Sequence, residues 1–150
     1  MMKHIFLALT VLLLSACSAQ LSNVSVRGGN TTNSVVKSID RPMFVRGDFT
    51  LWDAEAVYQM RETSAGVYQV RVKFTTPGKV YEFKIADASW TEGYNCGYAV
   101  DGKLALGEPK VADCQTVYNY FSFTPARKGV FIIQLDYRTP SQPLVSVLPN

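Results

Sequence analysis

Val67-Tyr68-Gln69-Val70-Arg71-Val72-Lys73-Phe74 is the stretch on which the fold turns, because Tyr68, Val70, Val72 and Phe74 alternate with Gln69, Arg71 and Lys73. Successive side chains of a strand point to opposite faces of the pleat, so this period of two makes one face apolar and the other wet. Val80 to Ala86 repeats the pattern, with Tyr81, Phe83 and Ile85 set against Glu82 and Lys84. Pro77-Gly78 lies between the two runs, and the combination predicts a hairpin.

Working outward, further apolar runs bounded by Gly, Pro or Asp clusters occur at Met43 to Arg46, Ala56 to Met60, Tyr118 to Phe123, Val130 to Tyr137 and Leu144 to Leu148. No segment carries a sustained apolar stripe at helical spacing. The pattern predicts an all-β fold, an immunoglobulin-like antiparallel β-sandwich of about seven strands over residues 42–150. The longest irregular stretch, Thr91 to Thr116, holds Gly93, Gly97, Gly102, Gly107 and Pro109. A loop of that length inside a small domain is usually functional.

The N-terminus reads differently. Lys3 and His4 precede an apolar run from Ile5 to Leu14, broken only by Thr10. A membrane-spanning helix needs roughly 20 apolar residues, whereas a short apolar run behind a basic start and before small residues is the pattern of a secretory signal. Leu14-Ser15-Ala16-Cys17 then resembles the bacterial lipobox. That resemblance implies a signal peptide over residues 1–16, cleavage before Cys17, and palmitate-type acyl chains on that cysteine. Several chains at about 0.8 kcal/mol per buried methylene would hold the protein on a membrane. Ser18, in place of an aspartate, favours the outer membrane. Residues 17–41 are rich in Ser, Asn, Thr and Gly, as in Arg27-Gly28-Gly29-Asn30-Thr31-Thr32-Asn33, and read as a flexible tether.

Composition then excludes several functions. Fifteen basic residues face twelve acidic ones, and loss of Lys3 with the signal leaves fourteen against twelve, scattered singly, so no nucleic-acid surface is implied. With Cys17 lipidated, Cys96 and Cys114 remain as a pair in an exported, oxidising compartment, and a disulfide follows. The one histidine, His4, leaves with the signal, so no imidazole remains to complete a zinc site or to serve as a general base. No metal or cofactor is expected. Asp48, Asp53, Glu92 and Asp101 could supply carboxylates for glycoside hydrolysis, but nothing in the sequence pairs them at a defined separation, so an enzyme is not expected.

Two segments carry the functional signal: Phe44-Val45-Arg46-Gly47-Asp48-Phe49-Thr50-Leu51-Trp52 and Tyr81-Glu82-Phe83-Lys84-Ile85-Ala86-Asp87-Ala88-Ser89-Trp90. Each is a strand that ends in polar turn chemistry and then a tryptophan. Together with Gly66-Val67-Tyr68, Gly129 to Tyr137 and Pro143-Leu144-Val145-Ser146-Val147, they resemble the β-sandwich modules that precede catalytic domains in pullulanases and related α-glucan enzymes. The resemblance covers roughly residues 42 to 148. It implies contact with starch, glycogen or malto-oligosaccharides, because a flat aromatic ring offers a rigid platform to the C–H face of a sugar while polar neighbours bond its hydroxyls. Trp90 is the first candidate, with Trp52, Lys84, Asp87 and Asn95 beside it. Two plainer roles stay open: Trp52 as a plug at one end of the sandwich, and Lys84 as a solvated strand lysine. A different class of function also stays open, in which the same lipoprotein docks on a protein partner through its aromatic patch or an edge strand.

Overall fold

The structure, a computed structural model, describes residue 36 and residues 38–150. The segments read as signal peptide, as lipidated Cys17 and as most of the tether lie outside these residues. Within them the alternation of residues 67–74 is realised in space, for Tyr68, Val72 and Phe74 are buried while Arg71 and Lys73 are exposed.

The described residues form ten strands: β1 (Phe44–Gly47), β2 (Arg61–Ser64), β3 (Val67–Phe74), β4 (Tyr81–Ala86), β5 (Asn95–Tyr98), β6 (Lys103–Leu104), β7 (Lys110–Asp113), β8 (Phe121–Phe123), β9 (Gly129–Asp136) and β10 (Leu144–Pro149). One layer runs β2-β3-β9-β10-β7. In the other, β4 is central, with β1 on one side and β5 and β8 on the other. The β5–β7 pairing joins the two layers along one side. All pairings are antiparallel except β6 with β8. The layers meet through apolar faces, as in a sandwich. Phe74 of β3 packs against Tyr81 and Phe123 of the opposite layer, with ring centroids 4.6 and 5.5 Å apart. Val45, Phe83, Ile85, Phe121, Ile133, Leu135 and Val147 complete a core sealed from solvent. The all-β sandwich expected from the sequence is thus present.

Four details of the expectation need correction. First, β3 and β4 are not a hairpin: β3 pairs with β2 and β9, whereas β4 pairs with β1, β5 and β8. The link around Pro77-Gly78 carries the chain from one layer to the other, and the Tyr81 hydroxyl fastens it by accepting from the backbone N–H of Thr75 and Thr76. A period of two tells which face of a strand is apolar. It does not tell whether two such faces lie side by side or face to face. Second, Ala56–Tyr58 is a 3-10 turn, and the strand expected there is displaced to β2, whose four residues are all exposed. An edge strand with no buried face has no apolar signature to read.

Third, the Thr91 to Thr116 stretch is not wholly irregular but contains β5, β6 and β7. All but the last residue of β5 are buried, on both faces, which erases the alternation that would have announced it. Fourth, the strand expected over Tyr118 to Phe123 begins only at Phe121, and the count is ten instead of seven. The chain is also attached to the sandwich before Pro42. Ile39 donates its backbone N–H to the Tyr68 hydroxyl at 2.7 Å, and Arg41 pairs with Asp87 at 3.1 Å.

Candidate functional site

The β1–β4 register sets Arg46 opposite Lys84 and Phe44 opposite Ala86. Because Phe83 and Ile85 face the core, Lys84 and Ala86 must face outward, and Arg46 with them. The β4–β5 register adds Asn95, the partner of Ala86, to the same outer face. Glu82 and Ser122, paired between β4 and β8, continue it, and Tyr120 stands two residues before Ser122. An outer face should be wet, yet Arg46, Lys84 and Asn95 are only 5%, 1% and 6% exposed. The segments that end in Trp52 and Trp90 roof this face.

Arg46 builds the roof. Its guanidinium donates to the carbonyl of Trp52 at 2.7 Å and to the carbonyls of Asp87 and Ala88 at 2.8 and 3.2 Å. It also lies 3.6 Å from the centre of the Trp90 ring, at cation–π distance. One buried cation therefore ties both tryptophan loops to the sheet. Burial pushes its pKa down, although Asp53 and Asp87 oppose that shift. The loops need such a tie because Leu51, Trp52 and Trp90 all have positive φ, at 51°, 66° and 57°. Left-handed backbone costs a residue with a side chain about 1–2 kcal/mol and is held only where its surroundings impose it. Gly47, next to Arg46, makes the first turn possible, since a side chain there would collide with the Glu82 carbonyl and come within 2.9 Å of the Phe83 Cβ.

The Trp90 turn has a second fastening. Asp87 accepts from the backbone N–H of Ser89 and Thr91 at 3.1 and 2.9 Å and from Arg41 at 3.1 Å. Burial alone would raise the Asp87 carboxyl, but the bonds from Thr91 and Arg41 outweigh it and hold the pKa below the usual value. Arg41 in turn stacks over Tyr94 at 3.8 Å. Asp87, expected beside the ligand, thus has its oxygens engaged in shaping the turn and does not line the cavity described next.

Trp52, Trp90, Lys84, Asn95, Val117 and Tyr120 line one open cavity of about 460 Å³. Trp52 and Tyr120 pack at 4.9 Å between centroids, and both tryptophans are half-buried. The Lys84 ammonium donates to the carbonyl and hydroxyl of Thr116, each at 2.8 Å, which leaves one of its three N–H groups unused. It is not a solvated strand lysine: burial lowers its pKa to about 8, against a weaker opposing pull from Asp113. The Asn95 side-chain oxygen is buried without a hydrogen-bond partner. Such an atom costs about 1–3 kcal/mol unless something donates to it. The cavity is thus lined by aromatic rings and by two buried polar residues, Lys84 with an unused N–H and Asn95 with an acceptor that has no partner.

Cys96 and Cys114 are joined in a disulfide, which closes a loop with a sequence separation of 18 beside this cavity. Asn95 precedes one half-cystine, and the lining residue Val117 lies three residues after the other. Of the carboxylates considered for hydrolysis, Asp48 pairs with Lys79 at 3.2 Å and Asp101 with Lys110 at 2.9 Å, and none of the four lines the tryptophan cavity. Among the described residues no three or more His, Cys, Asp or Glu converge on a possible metal position.

The fold has a relative among solved structures. The chain is similar to the ligand-induced structure of AmyP-SBD, with a TM-score of 0.52, 19% identity, and coverage of 91% of this chain and 95% of that one. At that identity the likeness establishes the fold. No protein-family model and no curated protein matches the sequence.

Of the five residues expected to bind, the structure brings Trp52, Lys84, Trp90 and Asn95 to one cavity and leaves Asp87 out of its lining. Three contributors escaped the sequence reading. Arg46 stood inside the quoted motif, and the signal was a charged residue on a strand that ends the same way as its neighbour. Tyr120 carried none beyond being aromatic, because its place depends on the β4–β8 register. Arg41 falls in the stretch that reads as tether, where a cation has no evident partner.

Proposed function

We propose that this protein is a lipid-anchored, non-catalytic lipoprotein of the bacterial cell envelope, placed at the outer membrane, that binds α-glucans such as starch, glycogen or malto-oligosaccharides. The observation that carries the reading is the convergence of Trp52, Trp90 and Tyr120 with Lys84 and Asn95 on one open cavity. Rings of this kind stack on pyranose faces, the spare Lys84 N–H donates to a sugar oxygen, and a sugar hydroxyl donates to the orphan Asn95 oxygen. Sugar hydroxyls can serve both a donor and an acceptor in one lining, which a purely apolar ligand would not. The likeness to AmyP-SBD, a starch-binding domain, supports the same ligand class. Anchoring rests on the Leu14-Ser15-Ala16-Cys17 signal.

Tryptophan fluorescence titrated with maltoheptaose and with glycogen tests the binding. A saturable change in the wild type that is weakened at least tenfold by Trp90→Ala is the expected result, since loss of a stacking ring is worth about 1.4 kcal/mol or more. No change up to millimolar sugar would overturn the glucan reading and turn attention to a protein partner. For the anchor, palmitate labelling of the expressed chain should be lost in Cys17→Ser. Labelling that survives this substitution would rule out Cys17 as the lipidated residue.

A further inference from the structure

A second cavity, of about 330 Å³, adjoins the first through Tyr120, which lines both. Tyr98, Tyr118 and Tyr120 contribute its aromatic groups, and Glu82, Asp101 and Ser122 contribute oxygens. Glu82 and Ser122 are cross-strand partners on the outer sheet face that also carries Lys84, so the two cavities share one floor. The rim beyond Tyr120 is apolar and open, with Tyr118 78% exposed, Val117 63% and Val100 90%. Val117 belongs to the first cavity, while Tyr118 and Val100 belong to the second. Large exposed apolar side chains gathered on one strip mark a contact surface.

This strip is also held in shape. Asn119 donates its side-chain N–H to the Tyr98 carbonyl at 2.9 Å. At Gly97 a side chain would collide with the Asn119 carbonyl and come within 2.7 Å of the Thr116 hydroxyl, so glycine is what lets the 116–120 segment lie down on β5. The Cys96–Cys114 bridge ties β5 to the residues just before this segment. A preformed aromatic strip loses little freedom on binding, which favours affinity.

We propose that the two cavities form one elongated groove and that the half around Tyr118, built on the disulfide-closed segment, binds further units of a neutral polysaccharide chain. The proposal rests on the glucan reading of the first cavity and extends it: the ligand is a run of sugar units, not a single chain end. Neutrality follows from the balance of charge in this half, where Glu82 and Asp101 stand with Lys103 in the lining and Lys110 is paired to Asp101, so that neither an anionic nor a cationic chain is favoured while the carboxylates still accept from hydroxyls. Glu82 has no ion-pair partner among the described residues, whereas Asp101 retains Lys110.

The test is calorimetric titration of the full chain, in a detergent without a sugar headgroup, with maltotriose and with maltoheptaose, for the wild type and for Tyr118→Ala. Tyr118 is exposed enough for its truncation to leave the fold intact. The wild type should bind maltoheptaose at least tenfold more tightly than maltotriose. Tyr118→Ala should remove most of that advantage, roughly tenfold for one stacking ring, while leaving maltotriose affinity unchanged. The several registers in which a longer chain can bind give maltoheptaose a small advantage that persists in the variant, so only the difference between proteins counts. Equal affinities for the two sugars in the wild type, or an undiminished advantage in Tyr118→Ala, would overturn the elongated groove and leave the first cavity's role standing. Failure of the wild type to bind either sugar would overturn both.

Discussion

The two outer faces of the sandwich treat their cations in opposite ways. On the β3–β9 layer Arg71 and Lys73 stand in solvent, and Gln69 and Gln134 bond to each other across the sheet at 2.7 Å. On the β1–β4 layer Arg46 and Lys84, directly opposite one another, are covered almost completely. Like charges across a strand pair repel, and burying either cation costs several kcal/mol before compensation. The compensation for Arg46 is three carbonyls and an indole face, and for Lys84 it is Thr116. A face that only kept the sheet soluble would need none of this. The roofed face is assembled to hold two strained tryptophan loops over a polar floor.

The largest expected difference between the faces lies at arginine. Arg46→Met should cost about 3 kcal/mol or more of stability in urea denaturation, because it strands buried carbonyls and releases two left-handed turns. Arg71→Met on the open face should stay within about 0.5 kcal/mol. Comparable losses at the two positions would mean that the roof is not held by Arg46. Next in size, Cys96→Ser combined with Cys114→Ser should cost about 3 kcal/mol through the loop it opens, with a parallel loss of maltoheptaose affinity. Affinity unchanged in that double variant would show that the cavity keeps its shape without the bridge.

Smaller, and sharper in sign, is the pH dependence at Lys84. Its folded pKa of about 8 lies below the ordinary 10.5, so the unfolded chain holds the proton more firmly between those values. Stability therefore rises as pH climbs from 7.5 to 9.5, by about 2 kcal/mol relative to Lys84→Met, and is lost again as pH falls through 8. Sugar affinity should move the other way over the same range, because deprotonation removes a charged donor. Parallel pH profiles for wild type and Lys84→Met in both stability and binding would remove Lys84 from the site.

The contrast also explains what could be read from sequence. The open face follows the alternation of Gln69, Arg71 and Lys73, so β3 and its core side were legible from eight residues. The tryptophans and Lys84 were legible through their motifs. Asp87 is legible through its motif, but its neighbours are not, since they depend on the turn that brings its oxygens to Ser89, Thr91 and Arg41. Arg46 and Tyr120 depended on strand register, and the β3–β4 relation depended on which apolar faces meet. Neither follows from a period of two. The exposed residues of β2 and the doubly covered residues of β5 break the pattern from opposite sides, one having no buried face and the other no wet one.

Only two tryptophans exist in the chain, so its proton–nitrogen correlation spectrum contains two indole N–H resonances, and these sense the roofed face directly. Titration of the isotope-labelled protein with maltoheptaose should shift both in a saturable way with one affinity, while the backbone signals of Arg71 and Lys73 on the open face stay in place. Indole resonances that remain fixed at saturating sugar, or shifts confined to the open face, would contradict a sugar site built on Trp52 and Trp90.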